Sequence, residues 1–136
     1  MTSLPTTPSE IARRRLRDAS DQEVELVVYS PVVDPGHSDS WICKTTITTS
    51  SGTTTFDNTG VDSLQALALG LGSLRFGLRQ LGLTQLTWLD LAGETGLPVV
   101  IQEIDENFQR LMESLQSAEL ARQAMWQKAI RQRSDE

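Results

Sequence analysis

The sequence is poor in the residues that carry most chemistry. Its 136 residues include one cysteine, Cys43, and one histidine, His37. A lone cysteine excludes an internal disulfide framework and fits a reducing compartment. It leaves no Cys/His pair for nucleophilic catalysis unless the loop around His37 meets the strand of Cys43. Bases are also few: 12 Lys and Arg stand against 18 Asp and Glu, for a net charge of −6. A generic nucleic-acid binder needs a positive footprint to displace phosphate counterions, so nucleic acid is not an expected partner. No window approaches the ~18 consecutive apolar residues of a membrane-spanning helix, so no membrane is expected either. Met1 to Glu10 lacks the basic-then-apolar layout of a signal peptide. There is no glycine-rich phosphate loop, because Gly70, Gly72 and Gly77 lie inside a helical pattern rather than before one. Asp34, His37 and Asp39 share one loop, but three such groups on a turn do not make a metal site. No cofactor, metal or catalytic residue is expected, and the chain does not read as an enzyme.

What is present suffices for one folded unit. Apolar residues make up 38% of the chain, with a mean hydropathy of −0.26. That is enough for a core and too much for a disordered chain. A small, acidic, soluble, cytoplasmic domain is expected. Its charge is uneven: Met1–Ser20 sums to +2, Asp21–Asp62 to −6, Ser63–Leu83 to +2, Thr84–Gln109 to −5 and the remainder to +1. If the two negative blocks meet in space they form one acidic surface, which would steer a basic partner.

The pattern along the chain predicts an α+β fold. Residues 1–9 read as a flexible terminus, 10–98 as an α+β domain and 99–136 as a helical extension. Ile11 to Ala19 is ambiguous. Thr7-Pro8-Ser9-Glu10 looks like a helix-starting capping box. The following RRRLRD lacks an apolar stripe, and an arginine-protected edge strand is the expectation. In Glu23–Val33 the residues Val24, Leu26 and Val28 alternate, and in Trp41–Thr49 the residues Trp41, Cys43, Thr45 and Ile47 share a face. After a turn at Ser50-Ser51-Gly52, Thr53–Phe56 resumes strand chemistry. Short connections predict an antiparallel meander of about four strands.

A main helix is predicted over about 62–81. Asp62 is its N-cap and Gln65 closes a capping box. Leu64, Leu67, Leu71, Leu74, Leu78 and Leu81 form an apolar stripe. Ala66, Gly70, Ser73 and Gly77 form a second, small line that suggests close approach of the sheet or another helix. LTWLDL at 86–91 is a possible added strand. From about Ile104 to Arg133 a second stripe (Ile104, Phe108, Leu111, Leu115, Ala118, Met125) predicts a helix of ~45 Å. A domain of this size is only about 30–35 Å across, so that helix bends, protrudes or packs on another chain.

Two stretches resemble known families. Gly60-Val61-Asp62-Ser63-Leu64-Gln65-Ala66-Leu67 resembles the phosphopantetheine attachment motif of carrier proteins. That resemblance implies an arm on Ser63, although carriers are helical bundles and the residues upstream here read as strands. Trp41-x-Cys43, the helix start GVDSLQALALGL, Leu86-Thr87-Trp88-Leu89 and Gly96-Leu97-Pro98 occur in an order that resembles a family of small bacterial domains of unknown function. It implies an antiparallel sheet on one main helix and no enzymatic residues.

The expected function is protein binding, most narrowly an immunity-type inhibitor that neutralises a basic toxin through an acidic surface. The candidate contacts are Asp34 and Asp39 in the first block, with Asp90, Glu94, Glu103 and Glu106 in the second. The alternative is a self-associating adaptor that forms a homo-oligomer through the C-terminal helix. The carrier reading on Ser63 is a remote third.

Overall fold

The computed structural model describes residues 4–98 and 106–134. It divides into two compact units, Met1–Val100 and Ile101–Glu136. The first unit is an α+β domain and the second is a single helix.

Alternation of apolar and charged residues makes the first two strands. β1 (Glu10–Arg17) turns Leu16 into the core and Arg13, Arg15 and Arg17 out, and β2 (Glu23–Tyr29) turns Val24, Leu26 and Val28 in. They pair antiparallel, with Leu16 opposite Val24 and Arg14 opposite Leu26. The ambiguous stretch at 11–19 is therefore a strand. The expected single strand over 23–33 is interrupted at Ser30-Pro31, because proline has no N–H for the ladder. It continues as β3 (Val32–Asp34). The expected loop through Ser40 is only a tight turn at Pro35-Gly36, and β4 (His37–Thr49) runs straight out of it for 13 residues.

β4 joins the sheet together. One edge pairs with β3 at Val32–Ile42 and with β2 at Leu26–Ile47. The other edge pairs with β5 (Gly52–Gly60) from Trp41–Gly60 to Thr49–Gly52. All pairings are antiparallel, as a meander requires. Leu86 follows in the core, and β6 (Thr87–Trp88) and β7 (Leu91–Ala92) form a small hairpin on the far edge of β1, joined through Arg17–Thr87. The sheet thus has seven strands rather than about four, the expected addition over 86–91 appearing as the β6–β7 hairpin and the break at Ser30-Pro31 making β3 separate.

α1 (Ser63–Gln80) covers one face of the sheet. The Gln65 N–H donates to Asp62 Oδ1 at 2.8 Å, and the Val61 N–H, one residue before the N-cap, donates to Gln65 Oε1 at 2.8 Å, a variant of the expected capping box. The middle of the expected leucine stripe is buried or packed on the core, at Leu67, Leu71, Leu74 and Leu78, and its two ends are not. Leu64 is 74% exposed and Leu81 is 41% exposed, while Ala66, Gly70, Leu74, Gly77 and Leu78 are buried. The small residues face the strands because only they allow the helix so close. A Cβ on Gly70 would lie 2.7 Å from Cys43 Sγ, and one on Gly77 would lie 2.8 Å from Phe56 Cζ. The core under α1 is Leu16, Val24, Leu26, Val28, Cys43, Ile47, Leu74, Leu78, Leu86 and Leu97.

α2 (Glu106–Ser134) is an unbroken helix of 29 residues. Leu111, Leu115 and Met125 of the expected stripe are exposed on it. Ile104 and the side chain of Phe108 lie outside the described residues. No described helix is long and apolar enough to cross a membrane.

Candidate binding surface

The first acidic block divides in two. Period-two geometry places the outward arginines of β1 beside the outward glutamates of β2. Arg13 pairs with Glu10, and its Nη1 lies 2.7 Å from Glu25 Oε1. Arg15 Nε lies 3.4 Å from both Glu23 and Glu25, and Arg17 lies 3.7 Å from Asp21. The Arg13 hydrogen bond holds the Glu10 carboxyl below its ordinary value. Exposed pairs of this kind add little stability, but they cancel charge. Three arginines thus offset most of the charge of Glu10, Asp21, Glu23 and Glu25.

The other four acids of that block lie towards the opposite end of the sheet. Asp34 closes the β3–β4 turn, its Oδ1 accepting from the Gly36 N–H at 2.8 Å. Asp39 is exposed two residues beyond His37 on β4. Asp57 stands opposite Lys44, whose ammonium sits 4.3 Å from the centroid of the Tyr29 ring. Asp62 caps α1, and the β4–β5 register carried two residues past Trp41–Gly60 brings it level with Asp39. Among the described residues none of these four has an ion-pair partner. His37, in the same turn, is exposed, and no group of three metal-ligating side chains occurs among the described residues.

Asp90 and Glu94 sit elsewhere, on the β6–β7 hairpin. Leu89 (φ 53°) and Asp90 (φ 62°) are both left-handed, as a two-residue turn closing the Trp88–Leu91 pair demands. Such backbone is strained for leucine and is held from below. Arg14 lies 4.1 Å over the Trp88 ring and donates from Nη1 to the Thr95 carbonyl at 3.1 Å. Gly96 (φ 66°) presses on the same ring, where a Cβ would come within 2.2 Å. Burial lowers the pKa of the Arg14 guanidinium. This clamp was hidden in the sequence, although parity with Ala12 and Leu16 marks Arg14 as inward-facing.

Asp34 lies eight residues beyond Leu26, the β2 partner of Arg14, which is about 25 Å along an extended strand. The two acidic groups thus occupy separate parts of the domain. Glu103 lies outside the described residues, and Glu106 begins α2 with its side chain outside them.

Cys43 is fully buried, its Sγ 3.4 Å from the Tyr29 carbonyl, and burial raises its pKa, which suppresses the thiolate. A cleft of about 310 Å³ beside the β4–β5 turn has Asp18 as its one ionisable side chain. A smaller one of about 140 Å³, floored by Leu26, Val28, Leu71 and Leu74, has Arg13 and Arg14 and no acid. Ser63 opens α1, but the elements before it are strands and not the helices of a carrier bundle.

No curated protein and no solved structure matches the chain. A family model does match residues 12–99, which take in most of β1, all of β2 to β7, and α1. With most of its length covered, the chain belongs to the family described as Domain of unknown function (DUF6968).

Proposed function

We propose that this chain is a small bacterial protein-binding module acting in the cytoplasm, and in its narrow form an immunity-type inhibitor that covers a basic toxin surface. The observation that carries the reading is the division of charge within the sheet. Arginine pairing offsets most of the acid charge at one end, and at the other it leaves Asp34 and Asp39, with Asp62 level with Asp39, without an ion-pair partner among the described residues. Carboxylates placed on strand ends and a tight turn are held rigidly, which suits occupation of a site built for phosphates. Asp90 and Glu94 form a second contact region, with Glu103 and Glu106 following it in sequence.

The test is co-expression of the chain with a basic toxin encoded beside its gene. Protection that is lost in D34K/D39K and retained in R15E supports the reading. Protection that survives D34K/D39K, or is absent altogether, overturns it.

A second reading is favoured by α2, whose Leu111, Leu115 and Met125 are exposed at helical spacing. On that reading the helix makes a homo-oligomer and the module is an adaptor. L111D/L115D then reduces the mass measured by light scattering, and an unchanged mass removes this alternative.

A further inference from the structure

Strand edges with unpaired main-chain groups invite another strand, and proteins ordinarily blunt them. The edges of this sheet are treated unequally. The outer edge of β3 is occupied by the N-terminal segment, with the Val33 N–H donating to the Pro5 carbonyl at 3.1 Å. The outer edge of β1 carries a bulge at Ile11, four arginines and the β6–β7 hairpin. β5 has none of these devices. Its nine residues, GTTTFDNTG, contain no proline, lysine or arginine, and among the described residues β4 is its one strand partner.

We infer that β5 is the seam of a symmetric dimer, in which a second copy of this chain adds its own β5 antiparallel to the first. Hydrogen-bond parity fixes which groups are offered. The two-residue turn makes Thr49–Gly52 a hydrogen-bonded pair, so Gly52, Thr54, Phe56, Asn58 and Gly60 direct their main-chain groups to β4. Thr53, Thr55, Asp57 and Thr59 direct theirs outward. A two-fold axis at Phe56 then sets Thr55 against the partner's Asp57 and Thr53 against the partner's Thr59. Every outward N–H and C=O meets a complement, threonine faces threonine, and no like charges are opposed.

The helix layer fits the same axis. Leu71 and Leu74 turn towards β2 and β1, where they line the small apolar cleft with Leu26, Val28 and Ala12. Leu69 and Phe76 precede the sheet-facing Gly70 and Gly77 by one residue, so they point the opposite way, over β5 and past it. They are 38% and 60% exposed. Gly77 lies directly over Phe56, which places Phe76 at the level of the proposed axis. α1 straddles β4 and β5, so its axis stands about one strand spacing from that seam. Two copies would bring their α1 helices to about 10 Å, the ordinary distance for packed helices. The pairing therefore completes a continuous sheet and covers Leu69 and Phe76 with their own counterparts.

The test uses the full chain in sedimentation equilibrium, where a mass of twice 15.0 kDa is expected. T55D sets an aspartate against the partner's Asp57 and is expected to raise the dissociation constant about tenfold or more, whereas T55K pairs with that aspartate and preserves the dimer. F76S changes an exposed side chain, leaves the circular dichroism unaltered and weakens the dimer by a similar factor. A monomeric wild type, equal effects of T55D and T55K, or indifference to F76S each overturns the proposal. Loss of the dimer in L111D/L115D with none in T55D assigns association to α2 instead.

Discussion

Replacing Gly70 with alanine sets two opposed effects against each other. In an exposed helix the change stabilises by about 1 kcal/mol, because alanine loses less backbone freedom on folding. Here the new methyl would stand 2.7 Å from Cys43 Sγ, 3.3 Å from its Cβ and 3.4 Å from Thr45 Cγ2. The first distance is about 1 Å inside an ordinary contact of ~3.5–4.0 Å. Cys43 is fully buried on a central strand, and its short side chain has no slack to swing away. Overpacking of this kind costs about 1–3 kcal/mol, and the larger values apply where neighbours cannot yield. The net expectation for G70A is a loss of about 1–2 kcal/mol, read as a lower urea midpoint at unchanged slope. In a C43A background the sulfur is gone, and the same substitution is expected to be neutral or stabilising, a coupling of about 2 kcal/mol. A G70A protein as stable as the wild type or more so, or an equal loss in both backgrounds, would refute the close approach of α1 to β4.

Other substitutions probe other parts of the fold. D62A removes the acceptor for the Gln65 N–H and is expected to cost about 1 kcal/mol, measured by chemical denaturation, with D62N largely restoring it. G96A meets the Trp88 ring within van der Waals distance at a left-handed φ, so a loss above about 2 kcal/mol and a shift in tryptophan fluorescence are expected. Native Cys43 is expected to resist alkylation at neutral pH and to react fully in denaturant, as its burial and raised pKa require. Because Glu10 titrates below its ordinary 4.5 when paired with Arg13, the contribution of that pair is present above pH 4.5 and fades as pH falls through the lowered value. E10Q is expected to flatten that part of an acid-unfolding curve.

Much of the fold was legible because strand alternation in β2 and β4 encodes both pairing and facing, whereas β1, with three consecutive arginines, reads ambiguously. The parity that buries Val24, Leu26 and Val28 also places Cys43, Thr45 and Ile47 beneath the helix. The α1 face was legible in part from hydrophobicity, through Leu74 and Leu78, but its glycines were not. Leucines occur on several sides of it, and the buried line is decided by how near the β4 and β5 backbones come, which selects glycine at 70 and 77. β6 and β7 are two residues each and exist through tertiary contacts that local pattern does not record. The acidic surface was half legible. Charge summed along the chain groups Glu23 and Glu25 with Asp34 and Asp39, but register across β1 and β2 cancels the first pair and leaves the second.

The slender attachment of the β6–β7 hairpin has a dynamic consequence. A single main-chain register pair, Arg17–Thr87, ties its strands to the sheet, beside the Arg14–Trp88–Gly96 stack and the buried Leu86 and Leu97 that flank it. The five-strand meander with α1 keeps all its own pairings if that stack lets go. Amide protons of β6 and β7 should then exchange through a local opening cheaper than global unfolding, while those of β2 and β4 wait for the whole domain to unfold. The segment that presents Asp90 is in this sense a separable lobe, able to shift without disturbing the sheet that displays Asp34 and Asp39.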